Sequence, residues 1–251
     1  MIVDVHGHLG TWSDFFVPEP SAQWLVETNS RIGIDAVIVS HLVAFGYDTT
    51  VGNRMAIEAA ARHPGQIGVW LVANPHWPER VADIRAQLDE PGVCGLKLHP
   101  DVHEYAITDP GYRPYLELAQ EQGLPVLSHG QTRSPWSDPV QLADICARHE
   151  GLSLLMGHAG LWVDGFERAC ALAREHEGLY LEICGSRLTH RWLERIIDDV
   201  GARKVLFGSD ASFLDPRTGL GKVLHARLDP SDRELVLGGN AVRLLGERWK
   251  R

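Results

Sequence analysis

The alternation of eight short apolar runs with helical segments constrains the fold of this 251-residue chain more than any other feature. The runs are continuous rather than alternately polar, as in Ala36-Val37-Ile38-Val39, which is typical of strands that helices cover on both faces. The predicted strands span residues 2–6, 36–40, 67–73, 94–99, 125–129, 153–158, 179–184 and 205–210.

Helical spacing fills the intervals between these runs. Leu193, Ile196, Ile197 and Val200, for example, recur on one helix face, and breakers such as Gly33 separate the segments. The predicted helices span residues 21–32, 52–63, 78–88, 112–122, 138–149, 162–176, 189–200, 217–226 and 231–248. Eight β–α units in a chain of this length predict a single (β/α)8 TIM barrel, regular or distorted, with a C-terminal helical extension. A doubly wound open sheet is the alternative. No linker or low-complexity segment interrupts the pattern, so we expect one domain over residues 1–251.

Composition limits the partners of the chain. A content of 44% hydrophobic and 23% charged residues is that of a globular protein with a sizeable core, and the net charge of −9 argues against nucleic acid or an anionic membrane as partner. No stretch approaches the roughly 20 apolar residues of a membrane span, and the N-terminus lacks the pattern of a signal peptide. The four cysteines have no C-x-x-C spacing, so reduced thiols are expected. We expect a cytoplasmic protein with a small-molecule substrate, and a homodimer is compatible with the sequence.

Ligand-type side chains end four of the predicted strands. His6 and His8 close the first run, and because strand residues two apart share a face, their imidazoles leave the strand side by side. His129, His158 and Asp210 end the fifth, sixth and eighth runs. Barrel enzymes carry their active sites at this end of the strands, and imidazole and carboxylate are ligands of catalytic zinc and similar cations. A single histidine at a strand end is usually structural, but five such residues on one face indicate a functional site.

Several motifs together resemble those of the amidohydrolase superfamily, and within it the amidohydrolase-related (amidohydrolase 2) family, which also contains aminocarboxymuconate semialdehyde decarboxylase-like enzymes. The resemblance covers nearly the whole chain. It rests on Asp4-Val5-His6-Gly7-His8, Gly95-Leu96-Lys97-Leu98-His99-Pro100, Pro125-Val126-Leu127-Ser128-His129, Gly157-His158-Ala159-Gly160, Phe207-Gly208-Ser209-Asp210 and the ending from Leu237 to Gly246.

The resemblance implies that His6, His8, His129 and Asp210 bind a metal and that His158 lies beside it as a catalytic group. This set of three nitrogens and one oxygen predicts one divalent ion per chain, with zinc as the first choice. Asp210 would also accept a proton from the attacking water, and His158 would hydrogen-bond that water or polarise a substrate oxygen.

Lys97 and Glu182 leave alternatives open. In some superfamily members a lysine on the fourth strand is carboxylated and bridges two metals, so a binuclear site with carboxylated Lys97 is the less favoured alternative. Lys97 could instead pair with a carboxylate inside the barrel, such as Glu182, or contact a substrate carboxylate.

Further substrate-contact candidates lie near the strand ends. They are Lys97, His99, Arg133, Trp12 and His41, and Arg187 is an additional arginine on the same face. Loops on this face determine specificity in barrels, and arginine binds carboxylates with two hydrogen bonds. Each candidate has a structural alternative, as a solvated arginine or a buried histidine.

Two enzymatic functions and one binding function fit these residues. The leading hypothesis is a metal-dependent hydrolase that uses metal-activated water on a small polar amide, lactone or ester. The alternative is a non-oxidative metal-dependent decarboxylase of an aromatic or unsaturated carboxylic acid. A barrel that binds metal without catalysis is disfavoured, because no ligand position is missing. The sequence does not identify the substrate.

Overall fold

The computed structural model describes residues 1–46, 48–246 and 248–250. Eight parallel strands form one sheet in the order of the chain. They are β1 (Val3–Leu9), β2 (Ala36–His41), β3 (Ile67–Val72), β4 (Val93–Leu98), β5 (Val126–Ser128), β6 (Leu154–Met156), β7 (Leu179–Glu182) and β8 (Val205–Leu206).

The sheet curves into a nearly closed barrel. Beyond β8, the N–H of Val5 donates to the carbonyl of Phe207 at 3.0 Å, and the N–H of Asp210 donates to the carbonyl of His6 at 2.8 Å. The (β/α)8 prediction is therefore confirmed. The doubly wound alternative is wrong, because such a sheet reverses its strand order, whereas here each strand pairs with its neighbour in sequence.

Helices surround the strands, and several of them begin with a side-chain cap. Asp48 accepts from the N–H groups of Thr50 and Val51, and Asp138 caps the helix that begins at Pro139. The α-helices are α1 (Ala22–Arg31), α2 (Val43–Gly46), α3 (Thr49–Arg62), α4 (Val81–Ala86), α5 (Pro100–His103), α6 (Arg113–Gln122), α7 (Pro139–Arg148), α8 (Val163–Glu175), α9 (His190–Val200), α10 (Pro216–His225), α11 (Pro230–Glu234) and α12 (Asn240–Leu245). Within the described residues, no helix combines the length and apolar character needed to cross a membrane.

Several predicted helices differ in detail. The predicted helix 78–88 is a 3-10 turn (Pro78–Arg80) followed by α4. The predicted helix 231–248 is divided into α11, a π-helical turn (Leu235–Gly239) and α12, and its residue Glu247 lies outside the described residues. The helical C-terminal extension is nevertheless present. The short helices α2 and α5, which follow β2 and β4, were not predicted.

Six strands, β3 to β8, end earlier than predicted, whereas β1 and β2 extend further. The sequence predicts strands 153–158 and 205–210, but β6 ends at Met156 and β8 at Leu206. His158 and Asp210 then adopt left-handed backbone conformations, with φ of 59° and 65°. For a residue other than glycine, such a conformation is unfavourable by about 1–3 kcal/mol, so the surrounding structure must hold both residues in place.

The barrel interior is apolar at the end opposite the histidines. Val5, Ile38 and Trp70 are fully buried there, and the indole N–H of Trp70 donates to the carbonyl of Val5 at 2.8 Å. Trp249, in the 3-10 turn Arg248–Lys250, packs against this cluster. A Cβ at Gly68 would lie 2.8 Å from the Cβ of Trp249, so the glycine leaves room for the indole that covers this end.

Candidate functional site

A cavity of about 390 Å³ opens at the C-terminal end of the strands. Imidazoles and carboxylates lie among its polar lining residues, and aromatic side chains form much of its apolar wall. The lining residues are His6, His8, His99, His129, His158, Asp210, Asp14, Asp101, Gln131, Arg187, Trp12, Phe15, Leu42, Phe45, Val102, Leu161 and Phe213.

His6, His8 and Asp210 converge at one point of this cavity. The Nε2 atoms of His6 and His8 lie 3.7 and 3.2 Å from Oδ1 of Asp210. The potential ligand atoms of all three residues lie within 4.8 Å of one another. Ligand atoms around a tetrahedral zinc ion are about 3.3 Å apart, given metal–ligand bonds near 2.0 Å. The donor set and its spacing therefore fit a divalent cation.

The outer ring nitrogens of the two histidines are occupied. Nδ1 of His6 lies 2.8 Å from Oε2 of Glu182, and Nδ1 of His8 lies 3.0 Å from Oγ of Ser40. These partners, themselves fully buried, leave the Nε2 atoms directed toward Asp210. Metal-binding histidines usually have such a partner on the second nitrogen, which orients the ring.

Lys97 lies below this group. Its Nζ is 2.8 Å from Nε2 of His6, and burial lowers the pKa of the ammonium to about 8. The anticipated ion pair between Lys97 and Glu182 is absent among the described residues. The ring of His6 lies between the two groups, with one nitrogen bonded to each of them.

His129 stacks on His99 in the same cavity. The two ring centroids are 4.3 Å apart with planes inclined by 10°. Nε2 of His129 lies 3.9 Å from Oδ2 of Asp101, and its buried Nδ1 has no hydrogen-bond partner within the described residues. Burial lowers the pKa of His129 to about 4, so the ring is neutral at pH 7. His129 lines the cavity but does not belong to the group of three formed by His6, His8 and Asp210.

His158 lies beside the cluster. Its ring centroid is 5.2 Å from that of His6 and 4.8 Å from that of His129. Burial, reinforced by the nearby His129, holds the pKa of His158 well below its usual value. Nδ1 of His158 lies 3.0 Å from Sγ of Cys184, and its backbone N–H donates to Glu182 at 3.2 Å.

The carboxylates of Glu182 and Asp210, which contact the histidines, are ionised. Burial alone would raise their pKa values, but the neighbouring histidines have the opposite effect. The pKa of Glu182 is lowered to about 2, chiefly by His6, and that of Asp210 is lowered strongly by its hydrogen bond with His8 and by His6. Asp210 is therefore available as an anionic ligand or proton acceptor.

The structure separates the substrate-contact candidates into two groups. Trp12 and His99 line the cavity, and Lys97 contacts it through His6. Arg133 and His41 are not among the lining residues.

Local contacts explain why these two side chains do not reach the cavity. The guanidinium of Arg133 pairs with Asp164 at 3.0 Å on the exterior. His41 is buried at the end of β2, where its Nδ1 accepts from the N–H of Val43 at 3.3 Å. Arg187 does line the cavity, with its guanidinium 4.0 Å above the ring of Trp162.

Three polar contacts of the site were not predicted. They come from Ser40, Asp101 and Cys184. Cys184 had a detectable signal, because it lies two residues after Glu182 and thus on the same face of the chain. Ser40 on β2 and Asp101 on α5 contact histidines of the neighbouring β–α unit, and no local spacing reveals such contacts.

Comparisons with known proteins agree with this architecture. A model of the amidohydrolase family, Amidohydro_2, matches residues 3–246. No curated protein sequence matches the chain.

Solved structures of several enzymes share the fold. A dihydroxybenzoic acid decarboxylase from Polaromonas, with bound manganese and the inhibitor 2-nitroresorcinol, is 16% identical with a TM-score of 0.74, over 97% of this chain and 96% of that one. A probable 2-pyrone-4,6-dicarboxylic acid hydrolase from Acinetobacter baumannii is 13% identical, with a TM-score of 0.72 over 98% and 99% of the two chains. A 4-oxalomesaconate hydratase from Rhodopseudomonas palustris is 16% identical, with a TM-score of 0.74 over 98% and 96%.

Proposed function

Because this chain belongs to the amidohydrolase family, we propose that it is a metal-dependent hydrolase that cleaves a small polar amide, lactone or ester with water. One observation carries the proposal. Nε2 of His6 and Nε2 of His8 both face Oδ1 of Asp210, at 3.7 and 3.2 Å, while their Nδ1 atoms are bonded to Glu182 and Ser40. This is the arrangement that ligand histidines adopt around a cation.

The proposed ligands are His6, His8, His129 and Asp210. Three imidazole nitrogens and one carboxylate oxygen favour one divalent ion per chain, with zinc as the first choice. Such an ion would supply Lewis-acid activation of a substrate carbonyl and of water. Elemental analysis that found two ions per chain would instead support the binuclear alternative with carboxylated Lys97.

The remaining chemistry belongs to the side chains. Asp210, ionised and only partly buried, accepts the proton that the attacking water releases and returns it to the leaving group. His158 is neutral and lines the cavity, so a ring nitrogen can accept a hydrogen bond from the water and orient it. Both residues therefore act on the same water molecule from different sides.

The cavity limits the substrate to a small molecule. Its volume of about 390 Å³ lies at the lower end of the range for ligand pockets. Phe45 and Phe213 supply apolar walls, and Arg187 supplies a guanidinium. We propose a substrate with a planar apolar part and a carboxylate that Arg187 binds.

Decarboxylation of an aromatic or unsaturated carboxylic acid is the second candidate. Phe15 stacks on Phe213 with ring centroids 4.5 Å apart, and Phe45 packs edge-on against His99. A planar ring would fit between such aromatic walls and the imidazoles below. The open cavity argues against the third hypothesis, a barrel that only binds metal.

Product analysis distinguishes these functions. The protein is stripped of metal with a chelator, reloaded with zinc or manganese, and incubated with panels of lactones, amides, esters and hydroxybenzoate-like acids. Hydrolysis without CO₂ supports the hydrolase, and CO₂ release supports the decarboxylase. Equal turnover by the stripped protein would contradict both. His8→Ala should abolish metal-dependent turnover, whereas His63→Ala, at a half-buried histidine that does not line the cavity, should leave it unchanged.

A further inference from the structure

A buried glutamate and a buried cysteine lie together at the end of β7. Glu182 and Cys184 are 0% and 1% exposed, and they share a face because they are two residues apart. Both contact histidines on other parts of the barrel, His6 on β1 and His158 after β6. The pair thus joins two histidines that lie 152 positions apart in the chain.

Glu182 determines the protonation of the His6 ring. Its Oε2 lies 2.8 Å from Nδ1 of His6, and an ionised carboxylate only accepts hydrogen bonds. Nδ1 of His6 must therefore carry the proton, which leaves the lone pair on Nε2. The second contact of this ring agrees, because Nε2 lies 2.8 Å from the ammonium of Lys97, which only donates.

Cys184 places the ring proton of His158 on Nδ1 in the same way. Its Sγ–H donates to Oε2 of Glu182 at 3.0 Å, and its backbone N–H donates to Oε1 at 2.5 Å. With the thiol proton directed to Glu182, the sulfur accepts from Nδ1 of His158 at 3.0 Å. The Nε2 atom of His158 is then the acceptor of that ring.

The same atoms do not have the spacing of a metal site. Ligand atoms of His6, His158 and Cys184 lie within 4.8 Å of one another, but the two nitrogen–sulfur distances are 3.2 and 3.0 Å. Nitrogen and sulfur ligands of a tetrahedral zinc ion are about 3.5 Å apart. The shorter distances correspond to hydrogen bonds.

We infer that Glu182 and Cys184 are positioning residues that keep the protons of His6 and His158 on Nδ1 and so leave Nε2 as the acceptor atom of both rings. The inference rests on the proposed function only for its consequence: a cation can then replace the Lys97 ammonium at Nε2 of His6, and Nε2 of His158 can accept a hydrogen bond from water. The order of the hydrogen bonds itself depends on neither metal nor substrate.

Ring-nitrogen NMR of the ¹⁵N-histidine-labelled, metal-free protein tests the inference directly. In the wild type, His6 and His158 should both show a protonated Nδ1 and an unprotonated Nε2. Cys184→Ala should leave His6 unchanged and give His158 a mixture of the two tautomers. Cys184→Ser, which restores a donor and acceptor, should recover most of the Nδ1–H form. Cys94→Ala removes a fully buried thiol of β4, which donates to the carbonyl of Gly92, and should change neither ring.

Zinc binding gives a second readout for Glu182. In Glu182→Gln the side-chain NH₂ group cannot accept a hydrogen bond, so only one of the two terminal atoms remains an acceptor. We expect zinc affinity to fall about 10- to 100-fold. Cys184→Ala should change it less than threefold. An unaltered His158 tautomer in Cys184→Ala, or zinc affinity within twofold of wild type in folded Glu182→Gln, would overturn the inference. Since the NMR experiment uses no metal or substrate, a protein without hydrolase activity would leave its result valid.

Discussion

Removal of the Ser40 hydroxyl should weaken metal binding without disturbing the fold. Oγ of Ser40 lies 3.0 Å from Nδ1 of His8, and Ser40 is 1% exposed, so water cannot replace the hydroxyl. When Nε2 of His8 binds a cation, Nδ1 must carry the proton and donate it to Ser40. In Ser40→Ala this buried N–H has no acceptor.

The expected loss follows from that unsatisfied donor. A buried N–H without a partner costs about 1–3 kcal/mol. This range corresponds to a decrease of about 5- to 150-fold in zinc affinity. It overlaps the decrease of about 10- to 100-fold that follows loss of a partner to a metal-binding histidine.

Calorimetric titration with zinc in the presence of a competing chelator measures this decrease. Ser128→Ala is the matched control, because Ser128 is also a fully buried strand serine, but its hydroxyl donates to the carbonyl of His129 rather than to a ring. We expect Ser128→Ala to bind zinc within twofold of wild type. Zinc affinity of Ser40→Ala equal to that of this control would refute the role assigned to the outer nitrogen of His8.

Three other predictions concern the pocket and the fold. Arg187→Gln should raise KM for a carboxylate substrate by about 10- to 100-fold with little change in kcat, because a charge-assisted hydrogen bond contributes about 1.5–3 kcal/mol to binding. Steady-state kinetics in which kcat alone fell would contradict this. Asn53→Leu should lower the free energy of unfolding, measured by urea titration, by about 2–4 kcal/mol, because the side-chain amide of Asn53 donates to the carbonyl of Val72 at 3.0 Å and accepts from its N–H at 2.8 Å. A loss below about 0.5 kcal/mol would contradict the prediction. Burial, reinforced by the nearby His76, lowers the pKa of His103 from 6.5 to about 4. As pH falls, the unfolded chain therefore binds this proton first, and His103 lowers the free energy of unfolding by up to about 3 kcal/mol between pH 6.5 and 4. The free energy of unfolding of His103→Gln should fall less steeply than that of the wild type over this range, and parallel pH curves for the two proteins would refute this.

Sequence analysis located the strands correctly but predicted their last residues less well. Continuous apolar runs identify buried strands, and all eight were found. The apolar pattern carries no information on φ, so the left-handed turns at His158 and Asp210 were read as strand. Those two residues were nevertheless identified as site residues, because barrel topology brings every strand end to one mouth.

Contacts across the barrel could not be predicted from the sequence. The bond between His6 and Glu182 joins residues 176 positions apart, and the register of Glu182 within its strand could not be fixed from spacing. The loops raised a similar difficulty. Arg133 and Arg187 both follow strands, yet only Arg187 lines the cavity, since Arg133 finds an acidic partner in Asp164.

Anomalous diffraction from a zinc-loaded crystal, recorded at the zinc absorption edge, tests the central claim most directly. The claim is that His6, His8 and Asp210 hold the cation of this enzyme, with His129 as the fourth ligand. We expect one strong anomalous peak per chain, in contact with Nε2 of His6, Nε2 of His8 and Oδ1 of Asp210. A peak bounded instead by Cys184 and His158, or no peak in the cavity at saturating zinc, would contradict the claim.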